Sequence, residues 1–231
     1  MTYEGITADS LFLLAENRFQ NSKSYYEEHK PAIRQGVIEP LRHLAADLAP
    51  AVLAIDPLLV VDPMKNGCVS RVRRDTRFTL DKCLYRENMW VAFLRDKRAW
   101  DYCLPAFYVD FSIQRVEYGV GFYSAEPAVM QLLRRHAQEQ PQVFLKALRR
   151  AQRAGFPLSG QPYARPRSTE ETPALLRPLY DCRNVELSRT AGPEMMADPA
   201  LPERLVAEFE ALAPIYRLLI AAVEEHHRLK G

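Results

Sequence analysis

A chain of 231 residues, 48% hydrophobic and 26% charged, has ordinary globular composition and enough length to bury a core without disulfide or metal staples. Its formal net charge of +2 excludes a surface that is cationic all over, so nucleic-acid binding by the whole surface is not expected. Cys68, Cys83, Cys103 and Cys182 form no Cys-x-x-Cys pair, which argues against zinc and reads as free thiols in a reducing compartment.

Residues 1–57 read as helical. The apolar run Leu11 to Ala15 is too short for a membrane span or a secretory segment, and no basic stretch precedes it. A cytoplasmic protein with no membrane partner is therefore expected. Asp9 or Ser10 is placed to cap a first helix through about Phe19, and Ser22 or Ser24 a second with Glu27 and Glu28 in its first turn. Ile33, Val37, Leu41, Leu44 and Leu48 recur at helical spacing. Pro31 and Pro40 predict a break or kink, and the neighbourhoods of Pro50 and Pro57 end the helical region.

Residues 58–123 read as a strand-rich core. Leu58 to Asp62 suggests a short strand with a turn after it. Met89 to Leu94 is apolar on both alternating sets, as in a strand covered on both faces. Ala106 to Ile113 and Val116 to Tyr123 alternate, and fit an antiparallel hairpin around Gln114-Arg115. Pairing Ile113 with Val116 puts every apolar residue on one face. A slip of two keeps the same faces, so register is defined only modulo two.

Residues 124–231 return to helix, with one late strand. Helices are predicted from Pro127 to Glu139, from Pro141 to an end at Gly155, from Thr172 to Asp181, and from Pro202 to Leu229 with a kink at Pro214. The last would bury Leu205, Phe209, Leu212, Leu219 and Val223. Phe156 to Pro173 reads as a surface loop and Asn184 to Thr190 as a strand. No repeat or linker divides the chain. The expectation is one α+β domain over 1–231, with a mainly antiparallel central sheet flanked by N-terminal and C-terminal helices.

Charge is concentrated. From Ser70 to Arg98 nine basic residues face four acidic ones, a local +5. Its densest part, Ser70 to Arg86, holds Arg71, Arg73, Arg74, Arg77, Lys82 and Arg86 against Asp75 and Asp81. As a strand it would show Arg71, Arg73, Asp75 and Arg77 on one face and Val72, Arg74, Thr76 and Phe78 on the other; as a helix, Arg71, Arg74, Asp75 and Phe78 would share a face. Guanidinium groups at this density can grip a phosphate or carboxylate bidentately. The ordinary alternative is an internal ion network, with Asp75 holding two arginines and Asp81 holding Lys82 or Arg86, and such networks are the commoner outcome.

The polar side of the hairpin is the second cluster: Tyr108, Asp110, Ser112, Glu117 and Tyr123, with Gly119 and Gly121 between them. Glycine inside a strand marks a bulge or the close approach of another group; the plain alternative is that Tyr108 covers a bare glycine opposite, or that a helix packs there. The histidines form no metal-ligand pair, and His226-His227 read as a solvated helix end. Phosphate-loop, dinucleotide and serine-hydrolase signatures are missing. No metal or cofactor is implied.

The run Ser70-Arg71-Val72-Arg73-Arg74-Asp75-Thr76-Arg77-Phe78, followed by Asp81-Lys82 and Tyr85-Arg86, resembles the signature of the domain of unknown function 2461 family. Asn21 to Lys30 is similar to that family's N-terminal element, with Tyr25-Tyr26 in place of Trp-Phe. Phe107-Tyr108 and Tyr118 to Tyr123 are similar to its aromatic and glycine strands. Leu84 stands where the family usually has proline, and Arg86 where it has lysine. The resemblance implies a shared fold and a site in which Arg71, Arg74, Asp75, Arg77, Asp81 and Lys82 matter together, without naming a reaction.

The residues therefore point first to a small anionic, perhaps phosphorylated, ligand held by Arg71, Arg74, Arg77, Lys82 and Arg86, with Tyr108, Asp110 and Tyr123 lining the site. Asp75, Asp81 and Tyr85 are the candidates for any chemistry. The alternatives are a nucleic-acid partner for the basic segment and exposed aromatics, and a purely structural Arg-Asp network in a protein that works through other partners.

Overall fold

Apolar strands that alternate strictly, followed by long amphipathic helices, produce a sheet with one face under helices. In the computed structural model, which describes residues 2–64, 67–100 and 103–230, five strands lie in the order β1-β2-β3-β5-β4, all antiparallel. They are β1 (Met89–Phe93), β2 (Ala106–Phe111), β3 (Val116–Gly121), β4 (Leu158–Ser159) and β5 (Glu186–Ala191). The short β4 falls in the stretch expected as loop, where it pairs with the end of β5. The fold is α+β.

Three helical segments precede the sheet: α1 (Ala8–Gln20), α2 (Lys23–Ile33) and α3 (Glu39–Ile55). Thr7, earlier than expected, caps α1 by accepting the Ser10 amide. Asn21 ends the helix in the left-handed region at φ 46°, the one such non-glycine among the described residues. Ser22 caps α2, which places Glu27 and Glu28 beyond its first turn. Pro31 lies inside α2, and the regular α-helix is interrupted just before Pro40. A π-turn, Arg34–Ile38, joins α2 to α3, and the Glu39 amide reaches back five residues to the Arg34 carbonyl. The wider turn accommodates Pro40, which has no N–H to donate. Pro50 lies inside α3, and the helix ends at Ile55 before Pro57.

Where a short strand was expected from Leu58 to Asp62, Leu59 makes a single bridge to Arg95, and Val69 makes another to Val91 of β1; the turn expected from Pro63 to Gly67 lies partly outside the described residues. Pro57 and Pro63 leave few donors for a ladder. β2 and β3 put Phe111 opposite Val116, two residues from the first pairing considered and on the same faces. The loop is Ser112 to Arg115, with the Ser112 hydroxyl accepting the Gln114 amide at 3.1 Å.

After the hairpin come α4 (Pro127–Glu139), α5 (Pro141–Arg153), α6 (Arg177–Asp181) and α7 (Leu201–Lys230). Gly155, at φ +86°, follows the end of α5 as a left-handed stop. Pro214 leaves the Glu210 carbonyl without its helical donor, and Arg150 fills it with a hydrogen bond of 3.1 Å. Leu205, Phe209, Leu212, Leu219 and Val223 are all buried. Phe209 and Tyr216 of α7 each pack against Phe107 of β2, ring centroids 5.0 Å apart. The end of α7 is only partly solvated, contrary to expectation. His226 is buried, and the exposed His227 rests its ring against Trp100 at 4.5 Å.

The apolar sheet face thus carries Val91, Phe93, Phe107, Val109, Tyr118, Val120 and Leu187 into one continuous core with the helices. The other face carries Trp90, Tyr108, Asp110, Glu117, Glu186 and Ser188, all half-buried. Trp90 and Ala92 are half-buried where coverage of both faces of β1 was expected.

Candidate functional site

The Arg-rich segment is extended, and folds back on itself. Arg73 bridges to Tyr85, the Arg74 amide donates to the Leu84 carbonyl, and the Arg86 amide donates to the Val72 carbonyl. Alternation follows from this: Val72 is buried and Arg74 half-buried, while Arg71, Arg73, Asp75 and Arg77 face outward. The joint between α1 and α2 holds the ribbon, because the Asn21 side chain accepts the Leu84 amide at 2.6 Å.

The cations do not all gather. Arg77 pairs with Asp75 at the ribbon tip, with both side chains more than half exposed. The Asp75 carboxyl is held at about 2, chiefly by the Arg77 guanidinium. Lys82 donates to the Thr76 carbonyl at 2.9 Å, and Arg71 is exposed. Phe78 stands at 91% exposure and Tyr123 at 97%. Tyr85 is buried, stacked on Tyr26 at 4.8 Å.

Asp81 is the knot of the ribbon. It accepts from Arg18 at 2.7 Å, from Arg74 and from the Cys83 amide. These donors hold its carboxyl well below the usual carboxylate range, Arg18 contributing most. Its partners are therefore Arg18 and Arg74, not Lys82 or Arg86, and Asp75 hydrogen-bonds one arginine rather than two. Arg18 is 63 residues away in sequence, and nothing in the local pattern marks it.

Arg86 turns toward the polar sheet face, and Arg74, bonded to Asp81, lies near enough to it for their charges to repel. Arg86 lies over the Trp90 ring, its guanidinium carbon 4.4 Å from the centroid. Its Nε is sealed from water and has no acceptor. Among the described residues the Arg86 guanidinium makes no hydrogen bond and no ion pair. Burial, and then the like charge of Arg74, lower its pKa; Asp110 and Tyr123 lie near enough to oppose this through charge alone.

Asp110 accepts the Asn88 amide at 2.7 Å, and burial still raises its carboxyl above the ordinary value. Tyr108 lies in register with Gly119 and Ser188. Its hydroxyl donates to Glu117 at 3.2 Å, and burial pushes it up to about 12. Glu117 is held on its other oxygen by Arg115. Glu186, opposite Gly121, has a carboxyl raised by burial, with no hydrogen bond to it among the described residues. Gly119 and Gly121 are required where they stand: a Cβ would come 2.0 Å from the Leu187 carbonyl oxygen and 2.5 Å from the Glu186 Cα.

The polar face thus brings together Arg74, Arg86, Tyr108 and Asp110 of the residues selected from sequence, and adds Trp90, Asn88, Glu186 and Ser188. Trp90 and Glu186 alternate outward on their strands, and that period is the signal that points to them. A separate cavity of about 290 Å³ lies between the α4–α5 joint and residues 167–176, lined by Gln138, Arg167, Thr172 and Tyr180, and holds none of the selected residues. Among the described residues, no cluster of three or more metal-ligating side chains occurs and no helix is long and apolar enough to cross a membrane.

Fold and site together define an α+β protein whose antiparallel sheet is packed by helices on one face and carries a cation-centred polar cluster on the other. The sequence matches the family described as Conserved hypothetical protein (DUF2461) over residues 9–217, and the chain belongs to it. None of the curated proteins matches the chain.

Proposed function

We propose that the polar sheet face binds a small anionic ligand, phosphorylated or carboxylated, with Arg86 as the primary contact and Arg74 as the second cation. One observation carries this: Arg86 is a half-buried cation beside a like charge, with its Nε shut away and no acid bonded to it among the described residues. A charge withdrawn from water without a partner is unfavourable. An anion accepting the remaining guanidinium N–H groups would relieve that cost through charge-assisted hydrogen bonds. Asp110, whose carboxyl is raised, is the group best suited to hold or release a proton near the bound anion. Four unpaired cysteines accord with a cytoplasmic setting.

The test is thermal stabilisation by inorganic phosphate, nucleotides and sugar phosphates. Wild type is expected to gain stability from at least one of them, Arg77→Gln to behave as wild type, and Arg86→Met to gain none. Equal stabilisation of Arg86→Met and wild type removes the reading.

A second reading rests on the ribbon tip. Phe78 at 91% and Leu80 at 101% exposure stand beside Arg77 and Lys82, an arrangement suited to stacking on bases while phosphates meet the cations. It requires affinity for single-stranded nucleic acid that falls steeply with salt. A gel shift at low salt that shows no complex removes it.

A further inference from the structure

Resting on the anion reading above, we infer that the ligand of the polar face is bipolar: a phosphate-bearing molecule of about nucleoside-phosphate length whose far end donates hydrogen bonds to Glu186. The sheet register carries the inference. Trp90, under Arg86, lies in one cross-strand row with Asp110, Glu117 and Thr190. Glu186 lies in another, with Ala106, Gly121 and Ser159. Tyr108, Gly119 and Ser188 form the row between them.

The two rows are four residues apart along β2, and Trp90 and Glu186 are three strands apart across the sheet. At ~3.4 Å per residue and ~4.8 Å per strand, their Cα atoms are ~20 Å apart. A bare phosphate at Arg86 cannot touch Glu186, whereas a molecule with a sugar and a base can.

Glu186 is the mirror of Arg86. It is half-buried, burial alone raises its carboxyl, and no donor meets it among the described residues. An unpartnered carboxyl at that depth favours a ligand that brings donors, an exocyclic amine or hydroxyls. Between the two ends, Gly119 and Gly121 add no side chains on β3, and the Tyr108 and Ser188 hydroxyls on the flanking strands supply groups that donate or accept. The two unmet charges, of opposite sign, stand at opposite ends of that strip.

The test compares inorganic phosphate with AMP and CMP, measured as thermal stabilisation and as affinity by calorimetry, on wild type, Glu186→Ala and Arg86→Met. In wild type the nucleotides are expected to bind about tenfold or more tighter than phosphate. Glu186→Ala should lose that excess and keep the phosphate response. Arg86→Met should lose both. If Glu186→Ala does not fold, Glu186→Gln, which keeps the shape and removes the charge, should weaken AMP and leave phosphate unchanged. Phosphate binding with no nucleotide excess, or an excess that survives both Glu186 variants, overturns the bipolar ligand and leaves the anion reading standing. No response to phosphate or to either nucleotide overturns both.

Discussion

Arg86 is held by Trp90 and, among the described residues, not by an acid: its guanidinium carbon sits 4.4 Å from the indole centroid, and its Nε meets no acceptor there. A cation–π contact of this kind contributes about 0.5–2 kcal/mol. It is opposed by the withdrawal of the charge from water and by the neighbouring Arg74. Such a side chain does little for the fold.

Arg86→Met should accordingly melt within about 1 kcal/mol of wild type, since the thioether chain keeps the contact with the ring and removes the desolvated charge. Denaturant melts at neutral pH measure this. A loss of about 3 kcal/mol or more would mark Arg86 as a structural residue.

Asp81 should behave in the opposite way. Asp81→Asn leaves Arg18 and Arg74 without their shared carboxylate and weakens the cap on the Cys83 amide, so its melting temperature should fall further than that of Asp75→Asn, which affects only the exposed Arg77 pair. The folded carboxyl of Asp81 lies below its unfolded value of about 3.9. Its contribution is therefore complete above about pH 5 and is lost as the pH falls toward 2. Melts of wild type and Asp81→Asn should converge over that range; a gap that stays constant down to pH 2 contradicts the ion-pair account.

Glu186 carries the other sign. Burial raises its folded pKa above the unfolded value of about 4.3, so the folded state prefers the neutral acid. That preference acts fully at low pH and is lost as the pH rises through the folded pKa. Glu186→Gln, neutral throughout, should be more stable than wild type at pH 7 and equal to it near pH 3. A variant less stable than wild type at pH 7 would mean that the carboxylate has a folded-state partner.

Gly119→Ala tests the seam between β3 and β5. The added Cβ would come 2.0 Å from the Leu187 oxygen and 2.8 Å from the Ser188 Cα, both backbone, so the strands must separate. A loss of about 2 kcal/mol or more is expected in chemical denaturation. A variant as stable as wild type would place β5 elsewhere.

The helices and the hairpin were legible because their signals are local. Pro127 and Pro141 mark the first residues of α4 and α5, Gly155 marks the stop, and strict alternation assigns both faces of β2 and β3. The consequences of the prolines were only half legible: the interruption near Pro40 takes the form of a π-turn, and Arg150 satisfies the carbonyl that Pro214 leaves open. The site was legible in part. Strand alternation separated Arg74 from Arg77, though both were expected at one site, and the partners of Asp81 depend on Arg18 and on a long-range fold that no spacing reveals. Trp90 and Glu186 carry only the weak signal of outward alternation, and the sheet is what sets them beside Arg86 and Tyr108.

The most direct measurement of the central proposal is the Nε–H resonance of Arg86 in a ¹⁵N spectrum during titration with phosphate. Because that group is sealed from water, its signal should persist in the unligated protein and shift saturably as phosphate is added, while Arg77, already paired with Asp75, stays in place. An Arg86 signal that does not move at saturating phosphate, or that moves no more than Arg77, would contradict the account.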